Sequence, residues 1–182
     1  MKLMFASDIH GVASSCQQML EAYRREGAQR LILLGDILYH GPRNGVAPGY
    51  DPQKVMEYLN DKAVCNQLLC VQGNCDAQVD QMVLNFPILA EYILLWVDGH
   101  TFYCTHGHRF TKEQLPMMGE KDILIYGHTH LQGFETLQGH LTLNPGSVSL
   151  PKGGNPATYM VYEDGVFTIK KMDGQTVQSV VL

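Results

Sequence analysis

A chain of 182 residues is long enough for one well-buried core and short for two, so a single domain spanning residues 1–182 is the expectation. With 45% hydrophobic and 17% charged residues, its composition is that of an ordinary folded domain and excludes a disordered one. A formal net charge of −5 without any basic run excludes a nonspecific nucleic-acid footprint, and the longest apolar stretch, "YILLWV", is far too short to span a bilayer.

In chain order, the first apolar run, "KLMFAS", reads as a buried strand, and it meets Asp8 and His10 too early for the amino terminus to read as a signal peptide. Residues 14–26 read as a helix with Met19, Leu20 and Tyr23 on one face, ending before Gly27. A second strand, "RLILLG", leads to the irregular connection "HGPRNGVAPGYDP" at 40–52, the sort of loop that overhangs a site. Asp51 and Pro52 open a second helix as its cap and first-turn residue, and "QLLCVQG" supplies a third strand. The first half therefore reads β-α-β-α-β, buried parallel strands alternating with crossover helices.

In the second half helix signals thin out and hairpin signals take over. "AEYILLWVDGHTFYCTHGH" is two strand-like runs around Asp98-Gly99, and "GFETLQGHLTLNPG" and "TYMVYEDGVFTIKKMDGQTVQSVVL" repeat the pattern with Gly139, Gly165 and Gly174. The expected fold class is α/β: a mixed sheet that turns into antiparallel meanders, forming two sheets packed face to face with helices outside. Five cysteines, Cys16, Cys65, Cys70, Cys75 and Cys104, make an odd set without a CxxC pair, which reads as reduced thiols in a cytoplasmic protein.

The polar residues concentrate where strands end. Asp8 and His10 follow the first strand, Asp36 the second and Asn74 the third, and in an open α/β sheet ligands bind outside the carboxyl ends of the strands. "YCTHGH" adds His106 and His108, and "LIYGHTH" adds His128 and His130. In extended backbone, residues two apart point to the same side, so Asp8 with His10 and His128 with His130 are expected to offer paired ligand atoms. Carboxylate, carboxamide and imidazole without a required thiolate suit a hydrolytic Mn, Fe or Zn site better than a structural zinc site.

The ordered set D-x-H, G-D, G-N, H-G-H and G-H-T-H resembles the calcineurin-like metallophosphoesterase family, and within it the small bacterial and archaeal phosphodiesterases of the YfcE type. The likeness runs over essentially the whole chain, through "GDILYHGPRN", "GNCD", "FPI" and "NPGSVSLPKGGNPA". It implies a four-layer α-β-β-α sandwich and two divalent metal ions. One would be held by Asp8, His10, Asp36 and His130, the other by Asp36, Asn74, His106 and His128. Asp36 is then the bridge that two dications about 3.5–4 Å apart require. Mn is the ion the resemblance points to, and Zn, Fe, Ni or Co also suit such ligands. The implied activity is hydrolysis of a small phosphoester, as a phosphodiesterase, by in-line attack of a metal-bound hydroxide.

Many members of the wider family carry histidine after the ligand asparagine, credited with protonating the leaving oxygen; here that residue is Cys75. A thiol is a poor substitute for an imidazolium acid, so weak leaving-group protonation is expected, with Asp76 as a candidate to share the role. The alternative for Cys75 is a half-buried thiol that only packs. The catalytic candidates are thus Asp36, Asn74, Cys75, Asp76 and His108, the last holding a metal ligand, touching the phosphate, or simply ending a strand. Arg43 and Asn44 could contact the phosphate or the second ester group, or be solvated loop residues; His40 and His140 are expected to be structural or solvent-facing. A homo-oligomer is compatible with an exposed edge among the carboxyl-terminal strands. The rival function is a protein-interaction scaffold on the same fold, as in the vacuolar-sorting retromer subunit, with little or no catalysis.

Overall fold

Alternation organises the chain from its first strand. In β1 (Lys2–Ala6), Leu3 and Phe5 project into one core and Met4 and Ala6 into another. In β2 (Arg30–Leu33), Ile32 joins the first set while Leu31 and Leu33 join the second. A strand with both faces buried needs a layer on each side, and the computed structural model supplies both; it describes residues 1–110 and 114–182.

One layer is helical. Helix α1 (Ala13–Glu26) buries Cys16, Met19, Leu20 and Ala22 and ends at Gly27, whose φ of 63° closes the last turn by an N–H bond to the Arg24 carbonyl. Helix α2 (Pro52–Asn60) is capped as expected: the Asp51 carboxylate accepts from the Lys54 N–H at 3.0 Å. A short α3 (Lys62–Cys65) leads into β3 (Leu68–Cys70), and a single turn, α4 (Gln78–Gln81), precedes the second sheet.

The other layer is a second sheet. Its strands are β4 (Tyr92–Val97), β5 (His100–Thr105), β6 (Ile123–Ile125), β7 (Gly133–Leu137) and β8 (His140–Asn144), in the order β4-β5-β6-β8-β7. The chain then returns to the first sheet as β9 (Thr158–Glu163), β10 (Val166–Lys171) and β11 (Thr176–Val181), giving the order β11-β10-β9-β1-β2-β3. Phe5, Ile32 and Val71 meet Phe102, Cys104, Ile125 and Leu143 between the sheets, where the Phe102 ring lies 5.0 Å from Tyr162 and 5.1 Å from Phe167. The architecture is the expected α/β one, two mixed sheets flanked by helices.

The hairpins form where the glycines predicted them. Asp98-Gly99, Gln138-Gly139 and Asp164-Gly165 all have positive φ at both positions, the backbone of a turn that matches strand twist. The second half is nevertheless not a plain meander. Strand β6 pairs parallel to both β5 and β8. Parallel β5, β6 and β8 therefore complement parallel β1, β2 and β3 in the facing sheet. Edge strand β11 closes the first sheet, while at the edge of the second β4 exposes Tyr92, Leu94 and Trp96. Among the described residues no helix is long and apolar enough to cross a membrane.

Candidate metal centre

Each of the six parallel strands delivers a polar residue just beyond its carboxyl end. Asp8 and His10 come from β1, Asp36 from β2, Asn74 from β3, His106 from β5, His128 and His130 from β6, and Ser147 and Ser149 from β8. The two sheets are tied together here: the His106 Nδ1 lies 2.6 Å from the Leu34 carbonyl, the His128 N–H donates to Asp8 Oδ2 at 3.1 Å, and the Val148 N–H donates to the Ser7 carbonyl.

The paired residues converge, but not through extended backbone. Asp8, His10, Asp36, His128 and His130 all lie at φ between 48° and 65°, in the left-handed region that such side chains seldom occupy. The chain turns sharply after each strand, and surrounding bonds hold the turns. Ser147 and Ser149 both donate Oγ–H to the Asp8 carbonyl at 2.8 Å, and the Asn144 amide donates to the Gly127 carbonyl. Gly73 permits a close approach: a Cβ there would clash with Asp36 Oδ1.

Three histidines are oriented alike. The Nδ1 atoms of His10, His106 and His130 lie 2.9, 2.6 and 2.6 Å from the carbonyls of Tyr39, Leu34 and Leu150. A carbonyl only accepts, so each Nδ1 carries a proton and each Nε2 turns inward. The Nε2 atoms of His10 and His130 then face each other at 3.2 Å, with Asp8 Oδ1 3.3 Å from one and 3.7 Å from the other. That Asp8 oxygen is buried and has no hydrogen-bond donor. Asp36 Oδ2 sits 3.6 Å from His10 Nε2 and 3.4 Å from His106 Nε2, while its Oδ1 accepts from the Cys75 N–H at 2.8 Å. On the far side His106 Nε2 approaches Asn74 Oδ1 at 3.0 Å and His128 Nδ1 at 3.2 Å.

Two donor clusters therefore share one carboxylate: Asp8, His10 and His130 on one side, Asp36, His106 and His128 on the other, with Asp36 also within reach of His10. An orphaned buried carboxylate oxygen and facing imidazole nitrogens are what a divalent cation needs, so the residues fit a metal ion. The electrostatics agree. Burial opposes charge on His106, yet Asp36 and Asp8 outweigh it and push its pKa up to about 9. A field that holds a buried proton so strongly also favours a cation.

The remaining candidates differ in what they touch. Cys75 is half-buried and its sulfur lies with His10 and Asp36; burial and the Asp36 charge push its thiol up to about 12. Asp76 departs from expectation. Both its oxygens are engaged, Oδ2 accepting from the N–H of Asp36 and Gly73 and Oδ1 from that of Ile37, at 2.7–2.8 Å. Burial raises its pKa to about 6, and its carboxylate faces the loop backbone, so it positions Asp36 and Gly73 and does not face the cleft. His108 accepts from Arg109 Nε at 3.3 Å and rests against the His106 ring; burial, then the charges of His106 and Arg109, lower its pKa to about 4. His40 packs against Tyr39 and Tyr50, as a structural residue does.

The cleft above the two clusters encloses about 320 Å³ and is lined by Gly41, Pro42, Arg43 and Asn44 from the 40–52 loop, as anticipated. Asn44 also braces that loop by donating to the His40 carbonyl. Lys152 lines the cleft as well and was not anticipated, although "LPKGG" directly follows the serines that hold Asp8.

Comparison with known proteins bears on what such a centre does. Residues 1–164 match the calcineurin-like phosphoesterase superfamily domain. Phosphodiesterase YfcE of Escherichia coli K12 is 46% identical over 177 residues, covering 97% of this chain and 95% of that protein. A solved structure of that phosphoesterase superposes with a TM-score of 0.94, covering 100% of this chain and 99% of the other. The Vps29 protein of Entamoeba histolytica, solved in complex with zinc, shares the fold at a TM-score of 0.62 and 18% identity, covering 100% and 99% of the two chains.

Proposed function

This chain belongs to the calcineurin-like phosphoesterase family, and from that premise we propose that it is a metal-dependent phosphodiesterase with a dinuclear centre. The observation that carries the proposal is the shared carboxylate: Asp36 forms one donor cluster with His106 and His128 and reaches His10 of the other, which contains the donorless Asp8 oxygen. Asp8, His10, Asp36 and His130 would hold one ion, and Asp36, Asn74, His106 and His128 the other. Bound there, divalent cations supply polarisation of phosphoryl oxygens and acidification of water towards a pKa of about 7.

The chain's own residues do the rest. The Tyr39, Leu34 and Leu150 carbonyls fix the tautomers of His10, His106 and His130, so their Nε2 lone pairs point inward. Asp76 sets the turn that brings Asp36 under Gly73. His108 buttresses His106 and His128. Cys75 lines the cleft and would offer only a thiol to a departing alkoxide, so esters with good leaving groups are the favoured small substrates. Mn is the proposed ion, with Zn, Fe, Ni and Co as alternatives.

Residues 1–182 act as one domain in this proposal, since β10 and β11 extend the six-stranded sheet beyond the matched region. A cytoplasmic location suits the five free thiols, and a homo-oligomer would pair through an open edge strand, β4 or β11. The scaffold alternative rests on fold likeness alone, at 18% identity.

The test is release of p-nitrophenol from bis-p-nitrophenyl phosphate by chelator-stripped protein with and without Mn²⁺. Turnover restored by Mn²⁺ in the wild type and absent from Asp36→Ala supports the activity. No turnover with any of the five metals, while the protein remains folded, removes it.

A further inference from the structure

We propose that Lys152 and Arg43 form an anion subsite on the rim of the metal-binding cleft, so that the preferred phosphodiester carries one further anionic group on the portion that does not leave. The inference rests on the phosphodiesterase activity proposed above and assigns its substrate class.

Both cations line the cleft. They come from opposite ends of the chain, yet each is rooted on a candidate metal ligand. The Tyr39 carbonyl that orients His10 begins the loop carrying Arg43, and the Leu150 carbonyl that orients His130 begins the loop carrying Lys152. The second root is doubly tied, because the Lys152 N–H donates back to the His130 carbonyl at 3.1 Å. Immediately beyond, Gly153 and Gly154 take φ of 67° and 75°, and the Asn155 N–H closes onto the Lys152 carbonyl, so the backbone turns with Lys152 at its start. The carbonyls that orient the histidines thus also root the two loops from which these exposed side chains extend.

Charge balance says what they are for. Among the described residues neither side chain has an ion-pair partner, and the one carboxylate that lines the cleft, Asp36, is committed to the histidine clusters. Asp8 and Asp36 together already fall short of two divalent cations, and a phosphodiester contributes a single negative charge. Two more cations at the mouth, in a chain with 18 acidic and 13 basic residues, leave room for an anionic substituent. A phosphate monoester suits both: Arg43 offers a planar fork of donors and Lys152 a point charge.

The probes are two p-nitrophenyl esters that differ by one group: p-nitrophenyl thymidine 5′-phosphate and the same ester carrying a 3′-phosphate. Mn²⁺-loaded wild type should show a lower KM for the 3′-phosphorylated ester. Lys152→Ala should raise that KM by about tenfold more than it raises the KM of the other ester, with kcat little changed, and Lys152→Arg should recover most of the loss. Arg43→Ala should act in the same direction. Thymidine 3′,5′-bisphosphate and thymidine 5′-phosphate, titrated calorimetrically, read the subsite without turnover. Equal effects of Lys152→Ala on both esters and both nucleotides overturn the subsite while leaving the phosphodiesterase intact. Selective bisphosphate binding that depends on Lys152, in a protein that cleaves neither ester, upholds the subsite and overturns the activity.

Discussion

The Nε2 atoms of His10 and His130 face each other at 3.2 Å while their Nδ1 atoms are turned to the Tyr39 and Leu150 carbonyls. Rings so oriented bring lone pair against lone pair unless a proton or a metal cation stands between them.

Metal should therefore stabilise the fold. At a hundredfold excess over its dissociation constant, an ion that binds only the native state contributes about 2.7 kcal/mol. For a chain of this size that is a rise of about 5–10 °C in Tm. Differential scanning calorimetry of stripped protein with and without Mn²⁺ should show this rise, and Asp36→Ala should abolish it. A midpoint that does not respond to any divalent ion contradicts the cluster's assignment.

Five of the seven expected metal ligands lie at left-handed φ, and this marks where sequence reasoning stopped. Period-two alternation made the strands legible, and Gly paired with Asp or Asn marked where they end, so the convergence of Asp8, Asp36, Asn74, His106 and His128 could be read. Alternation says nothing about the backbone past a strand's end, and extended pairing of Asp8 with His10 was the wrong geometry for the right neighbours. Lys152 was missed because a lone lysine in a glycine-rich loop carries no periodic signal. The backbone contacts of Asp76 went unread for a related reason: a carboxylate bonded to backbone N–H groups 39 and 40 positions away has no local signature.

Asp76→Asn separates positioning from catalysis. Its carboxylate accepts three backbone N–H bonds, and an amide cannot replace both oxygens, so urea unfolding should show a loss of about 2–4 kcal/mol. Mn²⁺ affinity should fall with it, since Asp36 is displaced. Unchanged stability with a lost alkaline limb in the pH–rate profile would instead make Asp76 a proton donor.

Cys75→His should restore an imidazole beside the ester. Turnover of a phenyl ester should rise about tenfold or more relative to a p-nitrophenyl ester, whose leaving group needs little protonation. An equal change on both esters would mean that the residue at 75 only packs.

Glu26 gives a prediction far from the centre. Burial works against its charge, but the Lys170 ammonium, the Tyr159 hydroxyl and Lys2 outweigh it and hold the carboxyl at about 2. A depressed carboxyl contributes stability that is fully present above its unfolded value of 4.5 and fades as pH falls towards 2. Glu26→Gln should cost about 1–3 kcal/mol at pH 7, and its Tm deficit should narrow between pH 5 and pH 3. A deficit that is constant over that window contradicts the ion cluster.

The sharing of Asp36 between two ions is best tested by counting them. Equilibrium dialysis of stripped protein against Mn²⁺, followed by elemental analysis, should give two ions per wild-type chain and fewer than one per Asp36→Ala chain. A wild type that saturates at one ion, or an Asp36→Ala variant that still takes two, would contradict a dinuclear centre bridged by Asp36.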